Sequence, residues 1–228
     1  MAKRSSFLLK QKVAAASIPL IAIGSLIYLV VLSITDDTAQ GIFREGQHYT
    51  VIENPRRIRG ENIEVMEFFS YGCIHCYNFD EPLTEWVNDN KDAIQLVRTP
   101  LMGNENWRLL GKHYYTLEQF KQRDRLHHSS FVAIHDRGKV FTNADNLAAF
   151  FADDELPYDP YISTFNSPSV MGQVNLADQL SRRFKISSVP TLIVHGKYKV
   201  AITSDIGPNR MLEVVDHLIE KIRAEAAP

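Results

Sequence analysis

The stretch IEVMEFFSYGCIHCYNF, residues 63–79, decides the fold around it. Residues 63–70 are mostly apolar and rich in β-branched and aromatic side chains, which is typical of a buried strand. Residues 71–72 interrupt that strand, and apolar side chains then recur at helical spacing over residues 74–90. The sequence therefore predicts a strand that passes into a helix at a C-x-x-C pair.

Strand and helix patterns follow one another in a definite order along the rest of the chain. Residues 49–51 and 94–99 have strand patterns on either side of the first motif. Five helical patterns come next, at residues 107–122, 126–135, 143–152, 158–165 and 170–184. The chain ends with strands at 191–195 and 199–203, a turn at Gly196-Lys197 between them, and a helix at 208–223. This order predicts one α/β domain that is interrupted by a helical insertion.

The composition is that of a globular protein. The chain has 228 residues, of which 45% are hydrophobic and 23% charged; this suits one or two domains and excludes a disordered or collagen-like chain. Residues 1–35 hold four of the 25 basic residues and no acidic ones, so 21 basic residues face 27 acidic residues in the remainder. An acidic body without a basic stripe argues against nucleic acid as a partner.

An uncharged, mostly apolar run of 22 residues occupies positions 13–34. A helix of this length spans the roughly 30 Å hydrocarbon core of a bilayer. Four positive charges precede the run, so we expect residues 1–12 in the cytoplasm and the body on the outer side. We predict an uncleaved transmembrane anchor over 13–34 and a polar tether over 35–47. A cleaved signal peptide is the main alternative, although its apolar region is usually only about 7–15 residues long.

Cys73 and Cys76 are the only cysteines of the chain, and they stand where the predicted helix begins. A thiol at a helix N-terminus has a lowered pKa, because free N–H groups and the helix dipole stabilise the thiolate. His75 can add a hydrogen bond or a positive charge beside it. Because a stabilised thiolate favours the reduced form, it makes the disulfide a stronger oxidant. The pattern predicts redox chemistry at these two sulfurs.

A metal site and a structural disulfide are the alternatives for the cysteine pair. Zinc normally takes four ligands, and the sequence has no second C-x-x-C and no H-x-x-x-H. His127 and His128 are adjacent, so on a helix they point about 100° apart, and we expect them to be exposed helix residues. A disulfide across two residues closes too small a loop to stabilise the fold much. Redox chemistry is therefore the favoured interpretation, with no metal.

Several segments in collinear order resemble the DsbA family of periplasmic thiol:disulfide oxidoreductases. They are FREGQHY at 43–49, VMEFFSYGCIHCYNF at 65–79, LMG at 101–103, YYTL at 114–117 and SSVPTLIVHGKY at 187–198. The resemblance spans roughly residues 43–223 and implies an α/β thioredoxin fold with an inserted helical subdomain, here preceded by one N-terminal transmembrane helix. We therefore expect residues 48–104 and 185–226 to form the thioredoxin-fold domain, and residues 105–184 to form the insertion.

The resemblance also assigns roles to individual residues. Cys73 matches the family's nucleophilic cysteine, Cys76 the resolving cysteine, and His75 the histidine between them. Val189 and Pro190 match the loop that faces the disulfide, where the proline is cis and the backbone before it binds an extended substrate peptide. Without the resemblance, a trans proline entering an edge strand is the better interpretation, since only about 5–6% of X–Pro bonds are cis.

Glu67 matches a buried acid beneath the active site, which implies a proton shuttle to and from Cys76. The alternative is a solvent-facing strand residue, because charged side chains are rarely buried unpaired. We expect the apolar surface that accepts unfolded chains to include Ile74, Tyr71 and Val189. Ile74 stands where many family members have proline, which leaves the redox potential and the partner preference open.

Sequence and resemblance together predict an oxidase of the inner membrane with its catalytic domain in the periplasm. It is expected to introduce disulfides into reduced or unfolded exported polypeptides. A quinone-linked membrane partner of the DsbB kind is expected to reoxidise it. No cofactor is implied, because the electrons reside on the two sulfurs, and the tether leaves no room for a dimerisation domain, which favours a monomer. The alternatives are a disulfide reductase or isomerase of the same fold, a redox-inert peptide-binding chaperone and a metal-binding module.

Overall fold

The computed structural model describes residues 43–58, 60, 62–203 and 206–226. The chain divides into two compact units, residues 1–44 and 45–228, and the fold that follows is that of the second unit. The anchor predicted over residues 13–34 lies outside the described residues. Within the described part of the chain, no helix combines the length and the hydrophobicity needed to cross a bilayer.

The second unit has the order of elements that the sequence predicts, with ends that differ by at most three residues. The strands are β1 (Thr50–Val51), β2 (Ile63–Phe69), β3 (Ile94–Pro100), β4 (Thr191–Val194) and β5 (Tyr198–Ala201). The helices are α1 (Ile74–Asp89), α2 (Glu105–Gln119), α3 (Arg123–His135), α4 (Ala144–Phe151), α5 (Tyr158–Phe165), α6 (Pro168–Arg183) and α7 (Pro208–Ala226). Helices α2–α6 form the insertion between β3 and β4.

A mixed five-stranded sheet in the order β1-β5-β4-β2-β3 forms the centre of the unit. The β2–β3 pair is parallel, whereas the other neighbouring pairs are antiparallel. Parallel strands need a crossover connection, and α1 supplies it. All seven residues of β2 are buried, which agrees with its nearly continuous apolar sequence. The C-x-x-C pair therefore lies where the central strand passes into its crossover helix.

The insertion shares a hydrophobic core with the end of β2 that leads to the cysteines. The ring of Phe69 meets that of Tyr114 at a centroid distance of 5.3 Å, and the ring of Tyr71 meets that of Phe131 at 5.0 Å, both edge to face. Such aromatic pairs contribute about 0.5–1.5 kcal/mol each beyond their burial. The backbone immediately before Cys73 is therefore held by the insertion as well as by the sheet.

The turn between β4 and β5 is centred on His195 and Gly196, one residue earlier than predicted. Both have positive φ, 50° and 67°, as a type I′ turn requires, and the N–H of Lys197 donates to the carbonyl oxygen of Val194 at 2.9 Å. A Cβ atom on Gly196 would lie 2.5 Å from the carbonyl oxygen of Arg56, so a side chain does not fit there. This tight hairpin holds β4 in place beside β2.

Candidate active site

Cys73 lies at the N-terminus of α1, directly after the turn that ends β2. Its N–H donates to the carbonyl oxygen of Ser70 at 3.0 Å and so closes that turn. Gly72 leaves no room for a side chain, because a Cβ atom there would lie 2.9 Å from Nε1 of Trp107. Both cysteines are unbonded, Cys73 half-buried and Cys76 fully buried one turn along the helix. The structure is thus that of the dithiol form, with one thiol within reach of solvent.

The thiol of Cys73 is much more acidic than an ordinary cysteine. A hydrogen bond from the Cys76 side chain is the main reason why the pKa of Cys73 falls to about 6. Burial opposes this shift, whereas the backbone N–H groups of His75 and Cys76 and the charge of His75 add to it. The predicted direction is confirmed, but the neighbouring thiol contributes more than the helix N-terminus or His75. At neutral pH, Cys73 is mostly a thiolate.

Cys76 has the opposite character. Burial raises its pKa far above the usual range of a thiol, and the hydrogen bond and charge of Cys73 and the charge of Glu67 raise it further. One sulfur is therefore ionised and partly accessible, while the other is neutral and shielded from solvent. Because only Cys73 is accessible, an external thiol or disulfide reaches Cys76 only through exchange at Cys73.

The loop before β4 brings a backbone carbonyl group to the nucleophile. The Val189–Pro190 peptide bond is cis, as the resemblance implies, and the carbonyl oxygen of Val189 lies 3.5 Å from Sγ of Cys73. The hydroxyl of Thr191 donates to the carbonyl oxygen of Ser188 at 2.8 Å and ties the loop to the start of β4. An extended peptide that pairs with this backbone would lie directly beside the sulfur.

Glu67 is buried in β2, where its neighbour in register on β3 is Arg98. Nε of Arg98 donates to Oε2 of Glu67 at 3.0 Å. Burial raises the pKa of Glu67 to about 7, even though Arg98 acts in the opposite direction. The buried position expected for Glu67 is confirmed, and the solvent-facing alternative is wrong. An acid with a pKa near neutrality can both accept and donate a proton at physiological pH.

The residues expected on the substrate surface differ in exposure. Ile74 is 48% exposed, and Val189 is half-buried beside Cys73. The expectation for Tyr71 is wrong, because this side chain is only 1% exposed. The insertion covers the end of β2 there, and the Tyr71 hydroxyl lies 2.8 Å from Nδ1 of His127. Tyr71 therefore supports the active-site turn from inside the core and has no surface to offer a substrate.

Three polar residues around Glu67 were given no role at the active site by the sequence-based predictions. Besides Arg98, they are Asp80, which is buried on α1, and His127 of α3, which was expected to be exposed but is buried in the shared core. Asp80 accepts hydrogen bonds from Arg98 and from both adjacent histidines, His127 and His128. Among the residues that the structure describes, no group of three or more His, Cys, Asp or Glu side chains is arranged to bind a metal ion.

Two neighbouring thiols of opposite acidity can receive a disulfide from one molecule and pass it to another without a cofactor. Together with the mixed sheet and its crossover helix, they define the class of thioredoxin-like proteins that carry out dithiol–disulfide exchange. Within that class, the chain belongs to the family described as the DSBA-like thioredoxin domain, whose family model matches residues 64–217.

Relatives and solved structures agree with this assignment. The thiol:disulfide interchange protein DsbA of Pseudomonas aeruginosa is 33% identical over 185 residues, which cover 81% of this chain and 88% of that relative. DsbA of Pseudomonas syringae pv. tomato is 34% identical over 202 residues, with coverages of 87% and 94%. The crystal structure of Pseudomonas aeruginosa DsbA has a TM-score of 0.76 at 33% identity, covering 81% of this chain and 96% of that one. That of oxidoreductase DsbA from Xylella fastidiosa has a TM-score of 0.75 at 27% identity, with coverages of 81% and 100%.

Proposed function

We propose that this protein is a thiol:disulfide oxidoreductase that introduces disulfide bonds into exported polypeptides. One observation carries the direction of the reaction, namely the lowered pKa of Cys73 beside the buried, neutral thiol of Cys76. Because ionisation of Cys73 stabilises the reduced pair, the disulfide form gives up its bond readily. The names of the curated relatives support the exchange chemistry.

The reaction begins when a thiolate of the substrate attacks Sγ of Cys73 in the disulfide form. A mixed disulfide forms between substrate and Cys73, the Cys73–Cys76 bond breaks, and the Cys76 sulfur leaves with the electron pair. Cys76 is fully buried, and a thiolate is unfavourable in such a position. The departing Cys76 sulfur therefore needs a proton as soon as the bond breaks. Glu67, half protonated near pH 7, supplies that proton in this proposal.

In the second half, another thiolate of the substrate attacks the substrate sulfur of the mixed disulfide. The substrate disulfide forms, and Cys73 leaves as a thiolate that its surroundings stabilise. The protein then holds two more electrons and the substrate two fewer. Reoxidation uses a disulfide of a membrane partner: the Cys73 thiolate attacks it, a mixed disulfide forms and one partner sulfur leaves as a thiolate. Glu67 then takes the proton from Cys76, whose sulfur attacks Sγ of Cys73, so that the Cys73–Cys76 bond forms and the second partner sulfur leaves as a thiolate. We propose a quinone-linked partner of the DsbB kind as the acceptor of these electrons.

The substrate is proposed to bind as an extended, unfolded segment beside the nucleophile. The Val189 backbone offers its carbonyl group next to Cys73, and the exposed Ile74 side chain offers apolar contact. Pairing with the substrate backbone depends little on the substrate's sequence, which suits an enzyme that acts on many unfolded chains. The protein is proposed to act as a monomer. His75 is exposed next to the nucleophile, where its charge favours the thiolate.

The redox potential and the titration of Cys73 test the direction of this reaction. For the full chain in mild detergent at equilibrium with glutathione, we expect a potential above about −200 mV and a thiolate absorbance at 240 nm that titrates near pH 6. The Cys76→Ala variant should titrate at higher pH, because it lacks the thiol that contributes most to the shift. The Cys73→Ser variant serves as the blank. A potential near thioredoxin's value of about −270 mV would instead identify a reductase.

The N-terminal segment is proposed to anchor the catalytic unit at the outer face of the inner membrane. The supporting observation is the uncharged run over residues 13–34 behind four positive charges. In cells, the full chain should remain in the membrane pellet after alkaline carbonate extraction, and its N-terminal residues should still be present by mass spectrometry. A mature chain that begins near residue 40 and is released with the periplasmic fraction would establish a cleaved signal peptide.

A further inference from the structure

Asp80 is a buried carboxylate on α1, one turn after Cys76, and the mechanism above makes no use of it. It interacts with Nη2 of Arg98 at 3.3 Å, with Nε2 of His127 at 3.2 Å and with Nδ1 of His128 at 3.0 Å. Burying an unpaired carboxylate is costly, so a buried acid with several donors is held there by its partners. These contacts join the active-site helix to β3 and to the insertion.

The partners of His127 determine which of its nitrogens carries the proton. Burial opposes ionisation of Asp80, but the hydrogen bonds from His127 and His128 and the charge of Arg98 lower its pKa to about 2. Asp80 therefore only accepts hydrogen bonds, and Nε2 of His127 is the donor. Because burial lowers the pKa of His127 to about 4, the ring is neutral and Nδ1 accepts from the Tyr71 hydroxyl at 2.8 Å. His127 thus holds Asp80 from the insertion.

Arg98 divides its guanidinium group between two carboxylates. Nε binds Glu67 at 3.0 Å, and Nη2 binds Asp80 at 3.3 Å. We refer to Glu67, Asp80, Arg98 and His127 as the Arg98 cluster. The negative charge of Asp80 raises the pKa of Glu67, whereas Arg98 lowers it. On β4, the residue in register with Glu67 is the uncharged Leu192, so the charges that face Glu67 come from β3 and α1.

We propose that Asp80 is a positioning residue for proton transfer at Cys76: it holds one edge of the Arg98 guanidinium and so limits how far that cation stabilises the charge on Glu67. Nη2 of Arg98 also donates to Oγ1 of Thr84 at 3.2 Å, but that hydroxyl carries no charge. Without Asp80, the positive charge of Arg98 is no longer shared with a second carboxylate, and Glu67 loses its proton too readily to protonate a departing Cys76 sulfur at neutral pH. A cavity of about 510 Å³, lined by Asp80, Arg98 and His127 among others, opens the cluster to water. This inference rests on the proposed role of Glu67.

The pH dependence of single-turnover disulfide transfer tests this role. The oxidised full chain in mild detergent is mixed with a reduced dithiol peptide between pH 5 and 8.5, quenched in acid and analysed by mass spectrometry. Each rate is divided by that of the same peptide with Ellman's reagent, which removes the ionisation of the peptide. We expect the corrected wild-type rate to fall with an inflection near pH 7. Asp80→Asn should move the inflection about one unit lower, which makes transfer at pH 7 about fivefold slower and leaves the rate at pH 5 unchanged.

Three controls separate this inference from the proposed role of Glu67. Glu85→Gln removes an exposed charge from the same helix and should leave the inflection in place. Glu67→Gln should remove the inflection, and the double variant Glu67→Gln/Asp80→Asn should match it, because Asp80 acts through Glu67. An inflection that survives Glu67→Gln overturns the role of Glu67 and this inference with it.

Two outcomes overturn the inference alone while Glu67 keeps its role. One is an inflection that stays in place in Asp80→Asn, and the other is a uniform loss of rate at every pH, which is the mark of a purely structural effect. If Asp80→Asn does not fold, Asp80→Ser makes the same change of charge with a smaller side chain, and the same downward shift is expected of it.

Discussion

Cys73→Ser is expected to abolish disulfide transfer to reduced peptides, with a loss of at least about a thousandfold relative to the wild type. The variant cannot form the active-site disulfide, and a serine hydroxyl is not ionised at neutral pH as the Cys73 thiol is. Cys76 cannot take over, because it is fully buried and its pKa is raised. The measurement is the oxidation of a reduced dithiol peptide by each protein with glutathione disulfide as the electron acceptor.

Cys76→Ser is the matched control for this prediction. It keeps the accessible Cys73 and replaces the Cys76 thiol, which both resolves mixed disulfides and lowers the pKa of Cys73, by a hydroxyl. Cys73 should still attack disulfides of its clients, and the resulting mixed disulfides should accumulate because no resolving thiol removes them. Non-reducing gels of cell extracts would show these adducts for Cys76→Ser and none for Cys73→Ser. If the pattern were reversed, with adducts on Cys76, the assignment of nucleophile and resolving thiol would have to be exchanged.

The order of elements and the two cysteines could be predicted because each depends on local sequence. A buried strand, a break and an amphipathic helix leave their periodicity in residues 63–79, whatever the rest of the chain does. The cis bond at Pro190 was different, since no local pattern favours it, and only the resemblance to a family implied it. The anchor over residues 13–34 stays a prediction.

The Arg98 cluster could not be predicted, because its members come from four separate elements. Glu67 and Arg98 are neighbours only because of the register between β2 and β3, and the sequence of neither strand determines that register. The sequence signal for this pair is the presence of acidic residues in one mostly apolar strand and of a basic residue in the other. His127 was expected to be exposed because a histidine on a helix usually is, but α3 turns that residue into the shared core. Tyr71 was misplaced for the same reason, since the insertion that covers it is distant in sequence.

Arg98→Met is expected to destabilise the folded protein by about 3–5 kcal/mol at pH 8. The arginine side chain is 15% exposed and pairs with the buried carboxylates of Glu67 and Asp80, and methionine fills similar volume without a charge. Two buried carboxylates, with side chains only 3% and 5% exposed, are then left without their shared cation, which is the costly way to break an ion pair. Urea unfolding of the full chain in mild detergent, followed by tryptophan fluorescence, measures the loss of stability.

The loss should shrink as the pH falls, because the pKa of Glu67 is already raised to about 7 by burial. A carboxyl group whose pKa is higher in the folded state than in the unfolded state lowers the free energy of unfolding as the pH rises. For Glu67 this loss of stability develops between about pH 4.5, the ordinary pKa, and pH 7, the pKa in the folded protein. At pH 5.5, Glu67 is neutral in both proteins, so Arg98→Met removes only the contact with Asp80 and the loss should be clearly smaller.

Arg125→Met is the control for Arg98→Met, because it breaks an ion pair that is exposed to solvent. Arg125 also pairs with a carboxylate, that of Asp153 at 2.8 Å, but both side chains are 41% exposed. An exposed pair of this kind contributes about 0–1 kcal/mol, because water screens it and the side chains lose entropy in forming it. Similar losses for Arg98→Met and Arg125→Met, or a loss for Arg98→Met that is equal at pH 5.5 and pH 8, would mean that Glu67 is not ionised beside Arg98. Glu67 would then keep its proton at neutral pH, and another group would have to accept the proton of Cys76 during reoxidation.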